Sequence, residues 1–170
     1  MLGSLFCGLG KALGGCELVP DLDEYIAYVR KQVGTINLQE TTLAIVKTEL
    51  KALGITPMFT TAPDYKVFYP DEVSLEKMIP FLTFSAEYYI AKLGIDCDDY
   101  AMWAAALARL IFECNGIYQA WGNMDLGYHA FNIVKVGENL YRLWEPNSGF
   151  AWAGEPFEIG THNYLPDKFK

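Results

Sequence analysis

A cysteine, a histidine and a carboxylate follow one another in this chain where they could act together. Cys97 heads the run Cys97-Asp98-Asp99-Tyr100-Ala101-Met102-Trp103-Ala104, His129 lies in Tyr128-His129-Ala130-Phe131, and Glu145 and Asn147 lie in Trp144-Glu145-Pro146-Asn147. A nucleophilic thiol needs an imidazole within hydrogen-bond reach to take or hold its proton, and the imidazole needs a third group to orient it. Cys97, His129 and either Glu145 or Asn147 are the candidates for those roles. A helix N-terminus carries partial positive charge, which favours a thiolate over a thiol. Each residue taken alone also fits a plainer role: Cys97 as a small buried hydrophobe, His129 as a satisfied strand histidine, Glu145 as a solvated charge at a strand end.

The other candidates are weaker. His162 is the second of two histidines and follows Gly160-Thr161 with no strand pattern before it. Cys114 falls at the unfavourable pole of the same helix, and Cys7 and Cys16 have no acid–base partner near them in sequence. Asp96, Asp98 and Asp99 invite a metal reading, but the spacing is not that of a calcium loop and the turn glycine is missing. Asp98 or Asp99 is expected to satisfy first-turn amides instead. The cysteines show neither CxxC pairing nor zinc spacing. No metal and no cofactor is therefore expected.

Certain elements must bring these residues together. Asp96 or Cys97 opens a helix running to about Glu113, apolar nearly all round, as a helix buried by its neighbours should be. From residue 116 onward the chain turns β-branched and aromatic. Ile117 to Trp121, Tyr128 to Val136 and Leu140 to Trp144 read as strands, with turns at Asn123-Met124-Asp125 and Gly137-Glu138-Asn139. A three-residue loop at the second turn would set His129 opposite Asn147 and put Glu145 on the same face; a two-residue loop would reverse the faces. Upstream, helices are predicted from Asp21 or Asp23 to Val33, from Leu38 to Leu53 capped by Asn37, and from Ser74 to Leu93 with Pro80 interrupting. Residues 55–71, with Pro57, Pro63 and Pro70, read as a loop. Helices followed by an antiparallel meander make an α+β fold, with a Gly-rich apolar arm at 1–20 and one domain at 21–170, helical over 21–115 and β over 116–170.

Composition narrows the function classes. The chain has 170 residues, 52% of them hydrophobic and 15% aromatic, with 13 basic and 21 acidic residues and a net charge of −8. Mass is 19.1 kDa, pI about 4.7 and mean hydropathy +0.11. That is enough apolar matter for one ordinary core and excludes a disordered chain. An acidic chain without a basic face is not a nucleic-acid binder. No run reaches the roughly 18–20 apolar residues of a membrane span. Leu13-Gly14-Gly15-Cys16 loosely matches a lipoprotein processing site, but no basic residue opens the chain and Lys11 interrupts the apolar stretch, so no signal peptide is expected.

The order of these motifs resembles the core of the transglutaminase-like branch of the papain-like cysteine enzymes: Cys-x-Asp-aromatic-Ala, then Gly-Ile before a strand, then His-Ala-aromatic, then Asp-Pro, from which Glu145 departs. The matching residues are Cys97-Asp98-Asp99-Tyr100-Ala101, Gly116-Ile117, His129-Ala130-Phe131 and Glu145-Pro146, within about residues 94–150. The resemblance implies Cys97 as nucleophile, His129 as base, Glu145 as orienter where the family usually has Asp, and Asp99 as a structural acid. It implies a papain-like core and a thiol-dependent amide hydrolase or acyl-transferase with a peptide or protein amide as substrate. A cytoplasmic enzyme, or a phage-associated one acting on cell-wall peptide, would fit. The alternative is a non-catalytic structural or binding subunit of a larger assembly such as a virion, keeping the fold and anchored through residues 1–20.

Overall fold

The computed structural model describes residues 21–58, 65–90 and 93–170. The arm expected at residues 1–20 lies outside them. Helix α1 (Leu22–Val33) starts where Asp21 accepts a hydrogen bond from the Asp23 amide and ends at Gly34, at φ +70°. Strand β1 (Leu38–Thr42) follows, then α2 (Leu43–Ala52), β2 (Thr56–Pro57), β3 (Lys66–Pro70) and α3 (Glu72–Met78). Helix α4 (Cys97–Phe112) precedes β4 (Ile117–Met124), β5 (Gly127–Gly137), β6 (Leu140–Trp144) and β7 (Leu165–Phe169). The fold is α+β, as the element order implied.

Several local expectations are corrected. The helix predicted from Leu38 begins five residues later, at Leu43. Its cap is Thr42, which accepts from the Ile45 amide at 3.3 Å, while Asn37 donates instead to Asp71. Residues 38–42, with two β-branched threonines, pair antiparallel with β3, so the predicted loop at 55–71 contains strand. The helix predicted over 74–93 stops at Met78. Pro80 sits in a 3₁₀ turn over Ile79–Phe81, where a ring without an N–H cannot continue an α-helix.

The larger sheet runs β2-β7-β4-β5-β6. It is mixed rather than wholly antiparallel, because β2 pairs parallel with β7. A two-residue strand from the first half of the chain carries too little pattern to be read from sequence. In the β5–β6 ladder Asn132 pairs with Trp144, Ile133 with Leu143, Val134 with Arg142 and Lys135 with Tyr141. That is the register of a three-residue loop. The hairpin closes on Gly137 opposite Leu140, and an irregularity between Lys135 and Gly137 restores the alignment.

Both faces of this sheet are covered. On one, α4 packs with α1 and α3 through Tyr100, Ala104, Leu107 and Ile111 against Ile117, Val134 and Trp144. On the other, Val46 and Leu50 of α2 meet Tyr118, Phe131, Ile133 and Leu143. Burying these chains supplies about 1.5–3 kcal/mol each for the large aliphatic and aromatic ones. Two polar threads tie α4 to the sheet: Asn132 Nδ2 donates to the Ala101 carbonyl at 2.9 Å, and Gln119 Nε2 donates to the Asp98 carbonyl at 2.7 Å. On the opposite face the buried Lys135 ammonium pairs with Glu49, which also accepts from Tyr141. Burial opposes the charge on Glu49, yet the bonds from Lys135 and Tyr141 outweigh it and hold its carboxyl below the usual range.

Candidate functional site

Cys97 is the first residue of α4, and the loop before it is shaped to place it. Gly94 takes φ +73°, which favours glycine. Asp96 then caps the helix by accepting from the Asp98 amide, and Asp99 accepts from the Asp96 amide at 3.1 Å, a reciprocal capping box. Ligand oxygens of Asp96, Asp98 and Asp99 lie within 4.8 Å of one another. Asp96 and Asp99 are engaged in the cap, so of the two acids expected to satisfy first-turn amides it is Asp99 that joins it. Asp98 is the strained member: its hydrogen bond with Asp96, then burial and the charges of Asp96 and Asp99, push its carboxyl up to about 6.

His129 lies on β5 opposite Gly122 of β4. Its Nε2 donates to Oε2 of Glu145 at 2.7 Å. Glu145 follows directly after β6 and is 1% exposed. The register explains the meeting, since the alignment of β5 with β6 carries Glu145 onto the face of His129. Cys97 lies close enough to the imidazole to favour its charged form. Burial opposes the imidazolium, but hydrogen bonds to Cys97 and Glu145 and their charges prevail and raise its pKa to about 9. The structure thus brings Cys97, His129 and Glu145 together.

Asn147 does not take the orienting position. Its amide N–H donates to Glu145 Oε1 at 2.9 Å, and its Oδ1 accepts from the Gly149 amide at 2.9 Å. It shapes the loop that holds Glu145. That loop is pinned further by Phe84, whose amide donates to the Pro146 carbonyl at 2.8 Å and whose carbonyl accepts from the Ser148 amide at 2.9 Å. Tyr100 of α4 anchors the same strip by donating to the Ser85 carbonyl at 2.6 Å. His162 is exposed and stacks on Trp152, rings 4.5 Å apart and 12° from parallel. Cys114 is buried, and desolvation pushes its thiol up to about 12.

Three residues that the sequence reading passed over complete the surroundings. Tyr164, wholly buried, donates to Glu145 Oε2 at 2.9 Å. The Trp152 indole donates to Tyr164 Oη at 3.2 Å. The Phe150 ring sits 5.2 Å from the imidazole and 5.8 Å from Trp152, so aromatic surface flanks the polar centre. A run of five aromatics or histidines between 150 and 164 was the available signal, but nothing in it indicates which way the rings turn. Chemically, the arrangement holds a proton on a fixed imidazole beside a thiol and a helix N-terminus, and can offer it to an acceptor group.

No protein-family model and no curated protein matches this chain. Among solved structures, it is similar to one described as a PSL1a-E64 complex, with 16% identity and a TM-score of 0.53 over 76% of this chain and 50% of that one. It is also similar to a Polyporus squamosus lectin bound to the human-type influenza-binding epitope Neu5Aca2-6Galb1-4GlcNAc, with 17% identity and a TM-score of 0.44 over 63% of this chain and 42% of that one. The chain therefore spans about half the length of each, and the likeness is one of fold. The second of these is described as a lectin. The expectation of a thiol-dependent amide hydrolase or acyl-transferase acting on peptide is corrected accordingly, in favour of the alternative. Among the described residues, no helix is long and apolar enough to cross a membrane.

Proposed function

We propose that this chain is a non-catalytic binding domain that keeps a transglutaminase-like, papain-like core and uses the Cys97–His129–Glu145 centre to hold a ligand. One observation carries the reading: the His129 imidazole, fixed by the buried Glu145 at 2.7 Å, stands against the partly exposed ring of Phe150 at 5.2 Å, with Trp152 beyond it. Ligand sites pair apolar and aromatic walls with a few fixed polar groups that set orientation. Here a donor on a rigid strand meets an aromatic wall. A ligand suited to it has acceptor oxygens on one side and a flat apolar face on the other. A saccharide has both, and the lectin character of the structural neighbours supports that class. Residues 1–20, rich in Leu and Gly, would be the anchor into a larger assembly.

A glycan array probed with the full chain, followed by calorimetry on the ligands it retains, tests the reading. Phe150→Ala, Trp152→Ala and His129→Ala should each weaken binding about tenfold, equivalent to about 1.4 kcal/mol. Failure to bind any glycan, or release of a cleaved product that Cys97→Ala abolishes, would overturn it.

A further inference from the structure

Tyr164 lies outside every motif that drew attention to residues 94–150, yet it touches the centre of the site. Its ring is packed edge-on against Phe131, Phe157, His129 and Trp152, with centroids 4.8, 5.2, 6.1 and 6.1 Å away. An indole N–H can only donate, and a phenol has one hydrogen to give. The direction of the chain is therefore forced: Trp152 Nε1 donates to Tyr164 Oη at 3.2 Å, and Tyr164 Oη donates to Glu145 Oε2 at 2.9 Å. That oxygen also accepts from His129 Nε2 at 2.7 Å, and the second carboxylate oxygen accepts from the Asn147 amide at 2.9 Å.

We propose that Tyr164 is a positioning residue for His129, acting through Glu145, and that Trp152 extends the same control to the aromatic wall. The Asn147 amide alone would leave the carboxylate free to pivot about Oε1. The phenol closes that pivot and keeps Oε2 aimed at the imidazole, which Cys97 also approaches. Tyr164 is itself clamped on both sides. Asn163 before it, in the left-handed region at φ +58°, donates through Nδ2 to Asp125 at 2.7 Å. Leu165 after it starts β7 and pairs with Asn123 of β4. Its hydroxyl stays protonated, because burial and the nearby Glu145 both push its acidity away from neutrality. The importance of this geometry rests on the reading of the Cys97–His129–Glu145 centre as the ligand site, but the geometry is testable without any ligand.

The test is side-chain imidazole NMR on the ligand-free full chain, comparing wild type, Tyr164→Phe and Trp152→Phe. In the wild type, a slowly exchanging Nε2–H resonance from His129 is expected at low field. In Tyr164→Phe it should be lost to solvent exchange, and the His129 titration midpoint should fall by about half a unit or more, because the carboxylate turns away. Trp152→Phe should move both readouts the same way by less. A hydroxyl that merely solvates Glu145 would act oppositely: its loss would strengthen the carboxylate's hold and raise the midpoint. An unchanged or raised midpoint with a retained resonance overturns the proposal. Should Tyr164→Phe not fold, Trp152→Phe decides alone: a lower midpoint supports the proposal and an unchanged one overturns it. Loss of glycan binding with these signatures intact would count against the binding reading only.

Discussion

His129 and Glu145 stand 16 residues apart in sequence and meet at 2.7 Å, nitrogen to carboxylate oxygen, under almost complete burial of the acid. The pair ties the stability of the fold to a titratable group. His129 has its pKa raised from 6.5 to about 9. A group raised in the folded state stabilises the fold fully below its unfolded value, and that contribution drains away as pH climbs through the folded value. Stability should therefore fall between about pH 6.5 and pH 9, by up to about 3 kcal/mol. Denaturant titrations at half-unit intervals would show it, and His129→Gln should flatten the slope. A wild-type profile level across that window would contradict the assignment.

The thiols should separate cleanly. Cys114 is completely buried with its thiol pushed up to about 12, while Cys97 is partly exposed at the helix start. Iodoacetamide at neutral pH, read by peptide mass spectrometry, should label Cys97 roughly tenfold or more faster than Cys114. Equal labelling of both in the native protein would mean that the helix opens more readily than its packing implies.

Asp98 works in the opposite sense to a stabilising carboxylate. Its hydrogen bond with Asp96, followed by burial and the two neighbouring charges, raises it from 3.8 to about 6. A raised acid favours the protonated fold, so stability is lost as pH rises from about 4 through 6. Asp98→Asn should raise Tm at pH 7 by about 1–2 °C, with little change at pH 4. Differential scanning calorimetry at the two pH values decides it, and a lower Tm at pH 7 would assign Asp98 a favourable role.

Gly122, opposite His129, is required by close approach rather than by backbone freedom. A Cβ there would stand 2.0 Å from the Leu165 carbonyl oxygen and 2.6 Å from Pro166 Cα. Gly122→Ala must push β7 aside and should cost about 2–3 kcal/mol, seen as a Tm lower by roughly 5–10 °C. It should also disturb Tyr164, the residue before β7. A variant as stable as wild type would mean that the ladder slips at no cost.

The chain showed its site more openly than its scaffold. Cys97 was legible because a capping aspartate and an apolar helix follow a glycine turn, and His129 because β-branched and aromatic residues surround it. Glu145 needed the hairpin register, which could be stated only as one of two options. Asn147 matched by position but points its polar groups into its own loop. Strand β2 is two residues long, and its pairing partner lies at the far end of the chain, so no local pattern marks it. Tyr164 is positioned by consecutive left-handed residues, His162 and Asn163, at φ +54° and +58°. Such a bend depends on tertiary support from Asp125 and Trp152, which no neighbour in sequence announces.

Strand β7 lies between β2 and β4, so residues near 168 must slot between partners near 56 and 121. A pairing so distant along the chain is slow to find and costs loop entropy before it returns any contact. Until it forms, β2 has no ladder, Tyr164 has no anchor and the Glu145 carboxylate keeps its pivot. The helix bearing Cys97 and the β4–β5–β6 meander can assemble from nearer partners. The His129–Glu145–Tyr164 geometry should thus be the last feature to mature during folding and the first to dissolve on gentle unfolding.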